Sequence, residues 1–433
     1  MAHGKFEVET AETPERAVLV GIERPGASVP AGESLAELEC LAHTAGAETV
    51  FTMTQRLDAP NPRTFIGRGK AEELASVVRN MDIDVVIFDD ELSPSQQSKL
   101  EELVGHGVKV IDRTALILDI FALHATSRAG RLQVKLAQNR YLLPRLRGMW
   151  SHLAAHRMGG GVGSRFGEGE SQLEVDRRLV RHRIEVLRRE LASVEKSRGT
   201  QRKERAKSGV FRVVLAGYTN AGKSTLMNSL TGADVLAYDK LFATLDSTTR
   251  RLVLPQGTKA TLTDTVGFIQ KLPHSLVESF KSTLDEVREA DLAVIVVDAS
   301  SPMCADQLDV VCEVLAEIDA DKVRRLVCFN KMDMVGRAQS DRLRALHPDA
   351  LFVSAQTGAG TDALVAAVQT AAQEDSTVMD VLVPFERADI AAWAHEHAKV
   401  LSQDYRDDGI ALRVRIPRSA AGVRGKLEAY TCR

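Results

Sequence analysis

V-V-L-A-G-Y-T-N-A-G-K-S-T, residues 213–225, decides the fold. An apolar run of strand length enters G-x-x-x-x-G-K-S and leaves it in a helical pattern, which is the context a phosphate-binding loop requires. Glycine at 217 and 222 lets the backbone N–H groups of residues 217–225 wrap phosphate oxygens, and the helix N-terminus adds its partial positive charge. The whole run Gly217, Tyr218, Thr219, Asn220, Ala221, Gly222, Lys223, Ser224 and Thr225 is therefore expected to line a nucleotide. Within it Lys223 reaches the β- and γ-phosphates and Ser224 is an Mg²⁺ ligand.

Further motifs follow in the order such a site needs. The strand A-T-L-T-D (260–264) ends on Asp264, placed to hold the hydration shell of Mg²⁺, and Thr265, Val266 and Gly267 continue it, with the Gly267 N–H facing a γ-phosphate. Between the two elements lies the Thr-rich L-F-A-T-L-D-S-T-T-R (241–250), where a loop ordering over the γ-phosphate belongs. From it Phe242, Ala243, Thr244, Leu245 and Asp246 join the candidate site, Thr244 as the second protein ligand to Mg²⁺. V-C-F-N-K-M-D (327–333) brings Asn330, Lys331, Met332 and Asp333 to another strand end. A carboxylate at 333 accepts from N1–H and the exocyclic amine of guanine, whereas adenine offers no N1 donor and lacks that amine, so GTP is preferred to ATP. Ser354, Ala355 and Gln356, after the apolar L-F-V, cover the other edge of the base. Each short motif is weak alone; their order and spacing are what make them specific.

Composition sets the wider frame. The chain has 433 residues, is 44% hydrophobic and carries a net charge of -3. That is enough for about three domains with buried cores. No run approaches a membrane span and the first residues lack a signal-peptide core, so a cytoplasmic location is expected. Cys40, Cys304, Cys312, Cys328 and Cys432 show no C-x-x-C spacing, which argues against a zinc site or disulfide framework and for most of them being buried thiols. The charge is unevenly spread: residues 126–208 hold 20 Lys or Arg against 8 Asp or Glu, which leaves the rest of the chain near -15, and 126–167 contain no acid at all. A solvated helical face mixes both signs, so this segment reads as a surface for a polyanion, with nucleic acid the leading partner.

The expected organisation is an α/β protein in four parts. Residues 1–125 alternate apolar runs (17–22, 49–53, 85–88, 108–111) with helical segments, as in a small domain with a mostly parallel sheet. T-F-I-G-R-G-K (64–70) is a Gly-punctuated turn before a helix near Ala71, with a plain turn favoured over a phosphate-binding role near Lys70. Residues 126–208 form a basic helical hairpin, with heptad spacing at Leu143, Leu146, Trp150 and Leu153 and again at Leu173, Val180, Ile184, Leu187, Leu191 and Val194. The Gly-rich 159–170 between them is a flexible linker or, the favoured reading, a loop that orders on RNA. Residues 209–375 form the P-loop domain, and 376–433 a small α+β domain in which I-A-L-R-V-R-I (410–416) alternates as a half-exposed strand.

At this point the sequence resembles a known family. G-Y-T-N-A-G-K-S-T-L, F-A-T-L-D, D-T-V-G-F, N-K-M-D and S-A-Q-T-G, preceded by G-E-G-E-S-Q-L-E-V-D-R-R, look like the HflX family of translational GTPases within the Obg-HflX group, over about 370 residues. Glu168 and Ser247 stand where the family usually has proline. The resemblance implies a protein that hydrolyses GTP to GDP, binds the 50S ribosomal subunit through 23S rRNA, and splits stalled or idle 70S ribosomes under stress. Nothing in the sequence suggests an obligate dimer, so a monomer is expected. Arg140, Arg145, Arg147, Arg165, Arg177 and Arg178 are the candidate RNA contacts. In GTPases whose loop reads G-x-x-N-x-G-K-S, the asparagine often helps to hold K⁺, which makes Asn220 the candidate for that role and K⁺ activation a hypothesis to test.

Phe268 stands where many such enzymes place a water-orienting glutamine, and a phenyl ring neither donates nor accepts a hydrogen bond. Slow intrinsic hydrolysis follows, with no side-chain base to assign. Two other readings remain open from the residues: a GTP-dependent placeholder in 50S assembly, and an ATP-dependent RNA-remodelling enzyme, against which Asp333 argues.

Overall fold

The computed structural model describes residues 14–26, 29–105, 107–146, 166–207, 210–232, 241–242, 247–255, 258–271, 281–417 and 420–431. Contacts group the chain into two compact units, Met1–Leu123 with Ala137–Glu185, and His124–Leu136 with Val186–Arg433.

In the first unit β1 (Glu15–Glu23), β2 (Ala47–Arg56), β3 (Val85–Phe88) and β4 (Lys109–Asp112) form a parallel sheet in the order β2-β1-β3-β4. They coincide with the four apolar runs, and β3 is buried at every position because helices cover a parallel sheet on both faces. The helix Pro94–Val104 opens with a capping box in which Ser93 Oγ accepts from Gln96 N–H and the Gln96 side chain accepts from Ser93 N–H. Just past the end of β4, Arg113, 1% exposed, pairs with Asp89, which follows β3, and with Glu37, and donates to Ser34 O, a buried cluster that no periodicity announces. The 64–70 stretch is a turn: Gly67 N–H donates to Gln55 Oε1 at 2.8 Å, the helix begins at Arg68, and Lys70 pairs with Glu73 on its own helix.

The basic segment differs from the expectation at two points. The helix Arg128–Leu142 stops before Leu143 and Leu146, since Pro144 lacks an N–H and disfavours helical backbone at the residue before it. The long helix already runs from Phe166 to Lys207, so 166–170 is helical and only the earlier part of the Gly-rich stretch is left as loop candidate, outside the described residues together with Trp150 and Leu153. On that helix Ile184 and Leu187 are buried and Val180, Leu191 and Val194 half-buried, while Arg178, Arg181 and Arg183 are exposed, as the heptad spacing requires.

In the second unit β5 (Phe211–Gly217), β6 (Thr248–Val253), β7 (Lys259–Asp264), β8 (Leu292–Asp298), β9 (Arg324–Asn330) and β10 (Leu351–Phe352) build one sheet in the order β10-β9-β8-β5-β7-β6. All pairs are parallel except β6 with β7. One face packs Leu215, Leu226, Leu262, Val296 and Val368. The other packs Val214, Ile295, Val311, Leu315 and Phe329. Every strand C-terminus on the parallel part points to the same edge, which is where ligands sit in such sheets.

The last part of this unit is antiparallel: β11 (Ser376–Val383), β12 (Lys399–Arg406) and β13 (Gly409–Pro417) pair as β11-β13-β12 beneath helices Ala388–His397 and Ala421–Glu428. In β13, Ile410, Leu412, Val414 and Ile416 are buried, as the alternation predicts. β12 escaped the sequence reading because its register shifts between Val400 and Ser402 and spoils the alternation. Among the four described cysteines, Cys304 and Cys328 are buried, Cys312 is half-buried and Cys40 is exposed. No helix among the described residues is long and apolar enough to cross a membrane.

Candidate functional site

β5 delivers the 217–222 loop to the C-terminal edge of the sheet, and the helix Lys223–Thr231 leaves from it. Asn220 (φ 57°) and Gly222 (φ 88°) take left-handed backbone. Glycine is required at 222 for a second reason: a Cβ there would lie 2.3 Å from Asn330 Nδ2. At Gly217 a Cβ would lie 2.2 Å from Val296 O, so the loop hugs the neighbouring strand.

Lys223 is 7% exposed, and its Nζ donates to Gly217 O at 3.1 Å and Tyr218 O at 2.8 Å. Burial pushes its ammonium down to about 8, with Asp264 opposing that shift. Such a desolvated cation gains more from an incoming phosphate than an exposed lysine does. Ser224 Oγ donates to Asp264 Oδ2 at 2.6 Å, and Asp264, the last residue of β7, is fully buried. A hydroxyl backed by a carboxylate is an oxygen donor set suited to Mg²⁺, so the residues present fit that ion. Thr219 Oγ1 is buried without a hydrogen-bond partner among the described residues, and the half-buried Thr225 follows Ser224 on the helix.

The segment after β7 docks on the loop. Thr265 Oγ1 donates to Leu215 O at 2.8 Å, and Val266 is buried. Phe268 N–H donates to Gly217 O at 3.1 Å and Thr219 N–H to Phe268 O at 2.7 Å, a parallel bridge between the two segments. The Phe268 ring, 2% exposed, belongs to the core with Val214, Ala216, Val287 and Ile295. Position 268 therefore presents backbone to the phosphate side and its side chain to the core.

Asn330 joins three motifs. It is 1% exposed; its Nδ2 donates to Ala221 O and its Oδ1 accepts from Ala355 N–H, both at 2.9 Å. Lys331 (φ 62°) pairs with Asp298 Oδ2 at 2.6 Å. Asp298, at the end of β8, was missed in the sequence, although D-A-S-S-P after an apolar run marks a strand end. Met332 and Asp333 form a 3₁₀ turn that leaves the Asp333 carboxylate exposed. Ser354 is buried and its Oγ accepts from Thr357 N–H, whereas Gln356 is exposed.

Of the Thr-rich loop only Phe242, buried at φ 57°, is described at the candidate positions; Ala243, Thr244, Leu245 and Asp246 lie outside the described residues. Arg147 and Arg165 do as well. Arg140 and Arg177 are half-buried and Arg178 exposed. Arg145 is withdrawn as an RNA contact: 8% exposed, it pairs with Asp112 at 3.2 Å and donates to Leu92 O, Tyr141 O and Gln97 Oε1. Its charge is used inside the first unit.

Four family models match in sequence order: a GTP-binding GTPase N-terminal region (32–122), a GTP-binding GTPase middle region (124–205), a 50S ribosome-binding GTPase (212–331) and an HflX C-terminal domain (342–427). The chain is 45% identical over 408 residues to the GTPase HflX of Caldanaerobacter subterraneus subsp. tengcongensis, covering 94% of this chain and 92% of the relative. It is 43% identical over 388 residues to the GTPase HflX of Escherichia coli K12, covering 89% and 90%. Among solved structures, a GTP-binding protein from Sulfolobus solfataricus in complex with GDP aligns over 83% of this chain and 99% of its own, at 23% identity and a TM-score of 0.44. The sequence likeness thus reaches into the C-terminal part, which the short motifs had not covered, and the chain belongs to the HflX family of GTPases.

Proposed function

We propose that this GTPase is a switch on the large ribosomal subunit, whose GTP form binds 50S through 23S rRNA and splits stalled or idle 70S ribosomes under stress. The observation that carries the reading is one chain holding both a GTP site and a surplus of 12 positive charges between residues 126 and 208. The description 50S ribosome-binding GTPase, carried by the model matching 212–331, supports the same partner. The protein acts in the cytoplasm as a monomer, and Arg140, Arg147, Arg165, Arg177 and Arg178 supply phosphate contacts to the RNA.

In this reading the P-loop residues 217–225 hold the phosphates, with Lys223 exchanging the Gly217 and Tyr218 carbonyls for phosphate oxygens. Ser224 and Thr244, with Asp264 behind them, would hold Mg²⁺, which when bound would supply positive charge to the β- and γ-phosphates. Asp333 reads guanine, and Asn330, Lys331 and Ser354–Gln356 shape the base site. The Gly267 N–H turns to the γ-phosphate, ordering the segment after Asp264 together with 241–250 and favouring the ribosome-bound conformation. Because the Phe268 ring is in the core, the chain orients no water there; the missing group comes from rRNA, from a reordered loop or from K⁺ held at Asn220, whose residue is exposed. Equal rates in KCl and NaCl with ribosomes present would remove K⁺ from this account.

Sedimentation of 70S particles with the protein and a non-hydrolysable GTP analogue tests the function. Splitting predicts conversion to 50S and 30S. A 50S-assembly placeholder, which the same site also allows, leaves 70S intact.

A further inference from the structure

Tyr218 is the residue of the P-loop whose side chain phosphate binding does not explain. It is 4% exposed, and its hydroxyl accepts from Gln270 N–H at 2.7 Å, in a segment where Gln270 itself is 8% exposed. With the Phe268–Gly217 and Thr219–Phe268 backbone bonds, this makes three hydrogen bonds in sequence between the P-loop and residues 268–270. Phe268 fastens the same segment from the other side by burying its ring.

The three bonds hold Gly267 against the loop. A carbon added to Gly267 would lie 2.8 Å from Thr219 Cα and 3.0 Å from Lys223 Nζ. In this arrangement Gly267 packs against Thr219 and beside Lys223 Nζ, the group expected to meet the β- and γ-phosphates. Lys223 meanwhile donates to loop carbonyls. If the γ-phosphate takes its place beside Lys223 Nζ, a triphosphate displaces Gly267 and lengthens the zipper, while a diphosphate leaves residues 267–270 as they are.

We propose that Tyr218 is a positioning residue that sets the preference between GTP and GDP: its hydroxyl clasps Gln270 N–H, keeps Gly267 over the P-loop, and is released by the triphosphate alone. A ligand shifts a conformational equilibrium only through its different affinity for the two states. GTP affinity is reduced by the fraction of molecules that are clasped, and GDP affinity is not. The inference rests on the GTP site and is independent of the ribosomal reading.

Calorimetric titration of the full chain and of Tyr218→Phe, with GDP and with a non-hydrolysable GTP analogue, tests it. Losing one buried hydrogen bond of about 1 kcal/mol weakens the clasp roughly fivefold. The expected result is that the ratio of analogue affinity to GDP affinity rises roughly fivefold in Tyr218→Phe. Equal changes for both nucleotides, or a ratio that does not rise, would overturn the role. Hydrogen exchange on the unsubstituted protein reads the same equilibrium if the variant does not fold: the Gln270 amide should exchange at least tenfold faster with the analogue than with GDP. Equal exchange rates would overturn the proposal, and a wild-type chain that binds neither nucleotide would remove the site itself.

Discussion

Replacing Phe268 by glutamine restores, on paper, the side chain that other GTPases use to orient water, and the structure predicts that it does not restore the chemistry. The ring is 2% exposed among Val214, Ala216, Val287 and Ile295, and its backbone is held to Gly217 and Thr219. A glutamine amide at 268 would enter an apolar core, away from the phosphates. Removing a buried phenyl group altogether costs about 3 to 5 kcal/mol. Glutamine refills part of that volume, but its buried amide without a partner adds about 1 to 3 kcal/mol. The net loss is about 4 kcal/mol, which lowers the melting temperature of a domain of this size by about 12 °C. Circular-dichroism melting and single-turnover GTP hydrolysis at 20 °C should therefore find Phe268→Gln less stable and no faster than wild type. A variant with unchanged melting temperature that hydrolyses GTP tenfold faster or more would show that side chain 268 swings out to the nucleotide, and the reasoning would fail.

Three further perturbations separate the parts of the site. Lys223 carries a proton affinity lowered to about 8 by burial, and bound phosphates raise it, so nucleotide binding takes up a proton around pH 8 and weakens as pH rises above it; calorimetry in buffers of different ionisation heat reads that uptake directly. Asn330→Ala strips partners from Ala221 O and Ala355 N–H, at about 1 to 3 kcal/mol each, and should lower both the melting temperature and GTP affinity, the latter by at least tenfold. Among the arginines, Arg145→Ala leaves the fully buried Asp112 uncompensated and should cost about 3 to 5 kcal/mol in a chemical denaturation experiment. The Arg140, Arg177 and Arg178 triple alanine variant should instead melt normally and keep its basal GTP turnover, while its ribosome binding weakens and its logarithmic salt slope becomes shallower by roughly two.

The parallel strands were legible because each is a short, nearly unbroken apolar run, and the P-loop because its glycines and lysine occupy fixed spacings that few other structures need. What escaped depends on distant partners or on direction. Arg145 sits in a stretch without acids, and nothing local signals that Asp112, 33 positions earlier, takes its charge. The meaning of Phe268 was only half visible: its chemistry excludes water orientation, but that its ring anchors the segment in the core needed the fold. The Tyr218 hydroxyl and Gln270 N–H meet across 52 positions, beyond any periodicity. β12 was hidden by a register shift, and the end of the Arg128–Leu142 helix could have been read from Pro144 had the heptad been given less weight.

GTP turnover by the purified protein with and without 50S subunits tests the central claim most directly. The account predicts a slow basal rate, because no side chain at 268 reaches the water, and a rise of orders of magnitude when 50S is added. A fast basal rate indifferent to 50S would contradict it, since the chain would then supply its own catalytic group and the basic 126–208 segment would serve another polyanion.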